Sequence, residues 1–147
     1  MSFSDLSRKQ KIIFLAGVFE GEGSYGYWSN GINRRRIELT VTMSDEDIIN
    51  RFKDVFDCGY IGKTKKKRDY YKQCWSWCLT GLKALHVLEQ MLPFFGVRRA
   101  SKYHDMVESF RISVKNGDHV IRKHLRRKTN KMIAHKEVIQ ASYDGLR

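Results

Sequence analysis

The sequence predicts an α+β domain in which a four-stranded antiparallel sheet, made of two hairpins, is backed by helices in the order αββαββα, with C-terminal helices after it. Three observations carry this. Ile12, Leu15, Ala16 and Phe19 recur at i, i+3, i+4 and i+7, the spacing of one helical face. Within residues 34–43 apolar and polar side chains alternate from Arg36 onward, as in a strand buried on one side. Two turn-forming stretches, Asn30-Gly31-Ile32-Asn33 and Lys65-Lys66-Lys67-Arg68-Asp69, each separate a pair of strand-like segments.

The first helix carries two glycines, Gly17 and Gly21, one turn apart on a second face, where missing side chains let another backbone approach. Each costs a helix interior about 1 kcal/mol relative to alanine, so a packing reason is expected for both. The helix ends in Gly21-Glu22-Gly23, which turns the chain sharply and leaves Glu22 at a C-terminus whose partial negative charge repels a carboxylate. Glu22 is thus badly placed for stability and well placed to share a divalent cation. The alternative is a solvated glutamate in a glycine-rich turn.

The aromatic-rich residues 24–29 and the alternating residues 34–43 form the first hairpin. One parity of the second strand reads Arg34, Arg36, Glu38, Thr40, Thr42; the other reads Arg35, Ile37, Leu39, Val41, Met43. Ser44-Asp45-Glu46-Asp47 supplies an N-cap and an acidic first turn for a helix through Ile48, Phe52 and Val55, stopping near Gly59. Residues 59–64 and 70–79 form the second hairpin. Thr80 caps the next helix, whose Leu82, Leu85, Leu88 and Leu92 run up to Pro93, the only proline. A further helix over 100–114 has Tyr103, Met106, Val107, Phe110 and Val114 on one side and ends at Asn116-Gly117. The remainder is basic, with Arg122, Lys123, Arg126, Arg127, Lys128 and Lys131. The core is therefore expected over 1–114, with a basic helical extension or tail of the same domain over 115–147.

The chain of 147 residues carries 28 Lys and Arg against 16 Asp and Glu, a formal net charge of +12. That balance points to a polyanion partner, nucleic acid before membrane. No apolar run approaches the roughly 20 residues of a spanning helix, and no secretory signal is visible, since the apolar stretch from Ile12 to Phe19 ends in two glutamates. An intracellular protein is expected, of a bacterial or phage cytoplasm or of an organelle. Cys58, Cys74 and Cys78 lack the paired spacing of a zinc site and read as reduced thiols.

With helices on one face, the sheet's other face would carry Trp28, Asn30, Arg34, Arg36, Glu38, Thr40, Gly62, Thr64, Lys66, Lys72, Cys74 and Ser76. Arg and Lys can read guanine edges, Asn adenine and Glu cytosine, so the mix suits the DNA major groove. An ordinary solvated sheet face is the alternative, and the positive excess favours DNA because phosphate neutralisation supplies most sequence-independent affinity. Trp75 and Trp77 have the opposite parity, as core or as a base-stacking platform. Arg126, Arg127 and Lys128 fit phosphate contact or a solvated tail.

The run Leu15-Ala16-Gly17-Val18-Phe19-Glu20-Gly21-Glu22-Gly23 resembles the signature of the LAGLIDADG homing endonucleases, matching in residue type at nearly every position. Met91-Leu92-Pro93-Phe94-Phe95-Gly96-Val97-Arg98 looks like the family's Leu-Pro-aromatic stretch ending in a basic residue. The resemblance covers roughly residues 8 to 112. It implies the same fold, and a site-specific double-stranded DNA endonuclease of intron or intein mobility that cuts both strands of a long near-palindromic site across the minor groove, leaving 3′ overhangs. Glu22 falls at the motif's eighth position, that of the metal-binding acid, and Glu20 at its sixth. Arg98 falls at the basic position near the scissile phosphate. Its guanidinium stays charged at neutral pH, so its role would be electrostatic.

Phosphodiester hydrolysis needs an in-line water and stabilised charge on the phosphate and leaving oxygen, which carboxylate-held divalent metals provide. Glu22 and the Gly21 carbonyl would give one subunit only part of a Mg²⁺ shell, the rest coming from water and DNA phosphate. The motif occurs once, and by resemblance single-motif members act as homodimers, so Phe14, Gly17 and Gly21 would line the seam and bring two copies of Glu22 together. At the end of the second strand some single-motif relatives carry a polar side chain near the nucleophilic water, where this chain has Met43. A nuclease-inactive nucleic-acid-binding protein of the same fold, an intron maturase on RNA or a DNA-binding regulator, is the alternative.

Overall fold

A computed structural model describes residues 2–29, 35–65 and 68–116. Ser7 starts the first helix, α1 (Arg8–Glu22), with a capping box: its hydroxyl accepts from the Gln10 amide at 3.3 Å, and Gln10 Oε1 accepts from the Ser7 amide at 2.9 Å. Ile12, Leu15, Ala16 and Phe19 are its buried face. The helix then runs directly into β1 (Gly23–Ser29). Gly23 has extended backbone, φ −82°, so no left-handed turn is involved. Its glycine is required by close approach, since a β-carbon there would collide with the Phe19 ring.

β1 pairs antiparallel with β2 (Arg35–Met43), in a register from Gly23 opposite Val41 to Ser29 opposite Arg35. Asp45 precedes α2 (Glu46–Phe56) without a side-chain cap bond, and Asp57, at φ 50°, closes it in the left-handed conformation. β3 (Tyr60–Lys63) and β4 (Trp75–Thr80) form the second hairpin, followed by α3 (Gly81–Met91), a single tight turn over Leu92–Phe94, and α4 (Val97–Lys115). The strand order β1-β2-β4-β3 makes β2 and β4, from different hairpins, the inner pair. This is the α+β architecture that the periodicities predict.

Tyr25, Ile37, Leu39, Val41, Trp77 and Leu79 are buried on the helix side of the sheet. Trp77 stacks at 5.0 Å on Phe52 and 5.8 Å on Phe56 and donates its indole N–H to the Cys58 carbonyl at 2.9 Å. It is a core residue, unavailable for base stacking. Each fully buried large apolar side chain contributes roughly 1.5–3 kcal/mol relative to exposure.

Two boundaries differ from expectation. The last strand begins at Trp75 rather than near residue 70, and α4 begins at Val97 rather than near residue 100. The first difference comes from a local turn: the Tyr71 amide donates to the Arg68 carbonyl at 3.1 Å, and Tyr70 and Tyr71 pack together at 4.8 Å. By Cα proximity the chain divides into two units, Met1–Ile112 and Ser113–Arg147, and the second enters the description only through the end of α4. Among the described residues no helix is long and apolar enough to cross a membrane, and the three cysteines are free thiols.

Candidate functional site

Glu22 is the last residue of α1 and is exposed, with no hydrogen bond or ion pair to any described residue. Gly21, also exposed, precedes it. On the outward face of α1, a β-carbon built on Gly17 or Gly21 would meet nothing within 4 Å. Among the described residues their absent side chains therefore answer to nothing. Ile13, one turn before Gly17, extends this face and is 43% exposed. It is a seam candidate that the glycine spacing points to and the sequence reading omitted. Phe14 is partly engaged by its own chain: it meets Phe3 edge-on at 5.5 Å, and the Arg51 guanidinium lies 5.8 Å from its ring.

The end of α1 is held by a residue that sequence reasoning missed. Arg99, in the first turn of α4, donates Nε and Nη2 to the Glu20 carbonyl at 3.1 and 2.8 Å, and Nη2 to the Gly23 carbonyl at 2.8 Å. These carbonyls lie where a helix runs out of i+4 donors. The Glu20 carboxylate sits 3.5 Å from Arg99 Nε. One of its oxygens, Oε2, is buried with no hydrogen bond among the described residues, so the guanidinium is its compensating charge. A β-carbon on Gly96 would stand 3.2 Å from Glu20 Oε1, so the carboxylate lies close against the start of α4. Below them the rings of Phe19, Tyr25 and Phe95 stack at 5.8 to 6.2 Å, and the Tyr25 hydroxyl donates to the Arg99 carbonyl at 2.5 Å. Burial pushes the Tyr25 phenol up to about 12.

Arg98 behaves differently from its neighbour. It is exposed in the same first turn and bonds to no described residue. Because Arg99 ties this turn to the last carbonyls of α1, Arg98 is carried on the element that abuts the Glu22 backbone. Sequence adjacency alone could not tell the braced arginine from the free one.

The sheet face away from the helices carries Trp28, Arg36, Glu38, Thr40, Thr42, Ser76 and Cys78. Arg36 pairs with Glu38 at 2.8 Å. Thr40 contacts the Cys78 sulfur at 3.2 Å, and the Thr42 and Ser76 hydroxyls share a 2.6 Å hydrogen bond. The Trp28 ring lies over Gly26 and the Tyr60 ring over Gly62, each glycine leaving room for the ring two residues away. These aromatics occupy the two edge strands and are 51% and 73% exposed. Tyr60 shares the parity of Gly62, so the alternation contained it, although it was not among the residues singled out.

Three expected face residues stand elsewhere. Lys72 lies in the β3–β4 connection, because the turn over 68–71 delays pairing until Lys63 meets Trp75. Thr64 follows β3 and donates its hydroxyl to the Cys74 carbonyl at 3.1 Å, so it closes the loop. Cys74 likewise precedes β4. Asn30, Arg34, Lys66, Arg126, Arg127 and Lys128 lie outside the described residues. Met43 ends β2 on the core parity, opposite Trp75. Among the described residues no group of three or more His, Cys, Asp or Glu is placed to hold a metal ion.

An αββαββα unit with an exposed carboxylate where its first helix meets its first strand defines the class of domain. No family sequence model matches the chain, and no curated protein matches it. Solved structures do. The LAGLIDADG meganuclease I-CpaMI bound to uncleaved DNA aligns over 78% of this chain and 40% of its own, at TM-score 0.58 and 16% identity. The group I intron-encoded homing endonuclease I-CeuI complexed with DNA aligns over 73% and 58%, at TM-score 0.53 and 17% identity. The homing endonuclease I-CvuI, in complex with the I-CreI target and with Mg, aligns over 63% and 61%, at TM-score 0.50 and 22% identity. The chain thus spans about three-fifths of I-CvuI and I-CeuI and two-fifths of I-CpaMI. It has the fold of the LAGLIDADG homing endonucleases.

Proposed function

We propose that the protein is a site-specific endonuclease that cuts both strands of duplex DNA as a homodimer with a divalent metal such as Mg²⁺. One observation carries this reading: a solvent-facing carboxylate, Glu22, unpaired among the described residues, ends a helix whose Gly17/Gly21 face is open among them. Three solved neighbours with the same fold are DNA complexes, one of them determined with Mg and with its DNA not cleaved.

The donor set fits the metal only as half of a site. One chain offers the Glu22 carboxylate and the Gly21 carbonyl, hard oxygen ligands suited to Mg²⁺, and a second copy across a two-fold axis would double them. When bound, the metal lowers the pKa of a water and offsets charge on the phosphate. Glu22, exposed in the chain, would supply the anionic ligand by exchanging its hydration for the metal. Arg98 adds fixed positive charge near the phosphate. The open face, through Trp28, Arg36, Glu38, Thr40 and Ser76, enters the major groove and sets register, while the net charge of +12 attracts the backbone.

The test is cleavage of duplex DNA spanning the locus that flanks the protein's own gene, with Mg²⁺ and with chelator. Metal-dependent cuts in both strands with 3′ overhangs are expected. Tight binding to that DNA without cutting under Mg²⁺ or Mn²⁺ would assign the protein to the binding class, on DNA or, as a maturase, on RNA.

A further inference from the structure

Glu22 presents a physical difficulty. Its side chain is held by nothing in the described chain, and it extends from a helix end whose carbonyls repel it. Any definite direction must come from its backbone. The carbonyls that bracket Gly21 and Glu22 are those of Glu20 and Gly23, and both accept from Arg99. We infer that Arg99 is a positioning residue, which fixes the backbone between these two carbonyls and so aims the Glu22 carboxylate and the Gly21 carbonyl at the DNA. This rests on the reading that Glu22 carries the cleavage chemistry.

The arrangement requires arginine in particular. Nε and Nη2 grip the Glu20 carbonyl together while Nη2 also reaches the Gly23 carbonyl, a rigid planar fork that a single flexible ammonium does not reproduce. Arg99 is only 12% exposed, so the bridge is shielded from water. It is itself fixed from three sides: Glu20 opposite Nε at 3.5 Å, the Phe19 ring 5.4 Å beneath, and the Tyr25 hydroxyl on its own carbonyl. The sixth-position acid of the motif thereby acquires a role distinct from that of the eighth. Glu20 holds the brace and Glu22 is what the brace holds.

Arg99→Lys keeps the charge opposite Glu20 and loses the planar fork that grips the Glu20 carbonyl twice while reaching Gly23. The assays are single-turnover cleavage at saturating protein, Mg²⁺ titration by calorimetry into the complex with a nuclease-resistant copy of the cleaved duplex, DNA affinity in chelator, and thermal melting. Expected are cleavage about 10- to 100-fold slower, the scale of a small misplacement, Mg²⁺ affinity weakened several-fold, and DNA affinity in chelator within twofold of wild type. Ile49→Val, a core change in α2, serves as a stability-matched control with unchanged rate and Mg²⁺ affinity. If Arg99→Lys melts lower yet cuts and binds Mg²⁺ as wild type does, Arg99 is merely structural and the inference falls. Should Arg99→Lys fail to fold, Tyr25→Phe loosens the same brace, and an unchanged rate and Mg²⁺ affinity in it would equally overturn the proposal. Glu22→Gln separates the two levels: if it still cuts, the reading of Glu22 fails whatever Arg99 does.

Discussion

Arg36 and Glu38, two residues apart on the open face of β2, are bound to each other through Nη2 and Oε2 at 2.8 Å, with Nε at 3.0 Å. Two groups expected to read bases separately are one unit in the free protein. The pair is half exposed and so adds little stability. Its significance is for recognition, because Arg36 can turn to a base edge only as its bond with Glu38 is kept or exchanged.

Arg36→Ala should relax preference at particular base pairs by roughly 1–3 kcal/mol each, and Glu38→Ala should alter preference at the same positions. Arg127→Ala should instead weaken binding to all sequences alike and make the salt slope shallower by about one unit. Binding selections on randomised duplexes, repeated at two salt concentrations, separate these cases. A tail substitution that changed the preferred bases would move the groove-reading surface off the sheet.

Glu22→Gln should slow cleavage by about 100-fold or more, the scale of losing one electrostatic group in a site, while DNA affinity in chelator stays near wild type. The substitution removes charge and little shape. Glu20→Gln should be milder, since the Arg99 bonds to backbone carbonyls survive it. Near wild-type cutting by the Glu22 variant would remove it from the chemistry.

Gly17→Leu should act in opposite directions on the chain and on its assembly. A side chain there meets nothing within 4 Å in one subunit, so the monomer should gain about 1 kcal/mol of helix preference or slightly less. Overpacking costs roughly 1–3 kcal/mol and a two-fold seam counts it twice, so the dimer dissociation constant should rise by about 30-fold or more. Sedimentation at micromolar concentration and urea titration read the two effects. An unchanged dimer places the seam elsewhere.

Alkaline pH should destabilise the fold through Tyr25. The phenol titrates near 10 when unfolded and near 12 when folded, so between these values the unfolded chain binds fewer protons and stability falls as pH rises. Tyr25→Phe should be less stable than wild type at pH 8, and the gap should narrow towards pH 12. Urea unfolding of both proteins at pH 8, 10 and 11 measures it.

The legible parts of the fold were those set by local burial pattern. Ile37, Leu39 and Val41 declare β2 because alternate residues face the core, and Ile12, Leu15, Ala16 and Phe19 declare α1 in the same way. Tyr70 and Tyr71 misled because aromatic residues favour strands, whereas here they form a turn with Arg68, and Gln73 closes the loop by donating to the carbonyls of Thr64 and Cys74. Val97 opens α4 early because Gly96 accepts the Ala100 amide at 3.0 Å and Glu20 stands beside that helix start. The site divided likewise. Glu22 and the glycine face follow from the motif, but Arg99 acts on carbonyls 76 and 79 positions away, and no local pattern encodes that distance.

The placement of β2 beside β4 has a consequence for how the protein folds. Neither hairpin contains the central seam, which forms only when Met43 meets Trp75 and Glu38 meets Thr80, across the whole intervening helix and loop. Closing so long a segment costs entropy before any contact repays it. The two halves of the sheet should therefore form as one cooperative event, and a chain cut between α2 and β3 should yield two fragments that fold together or not at all.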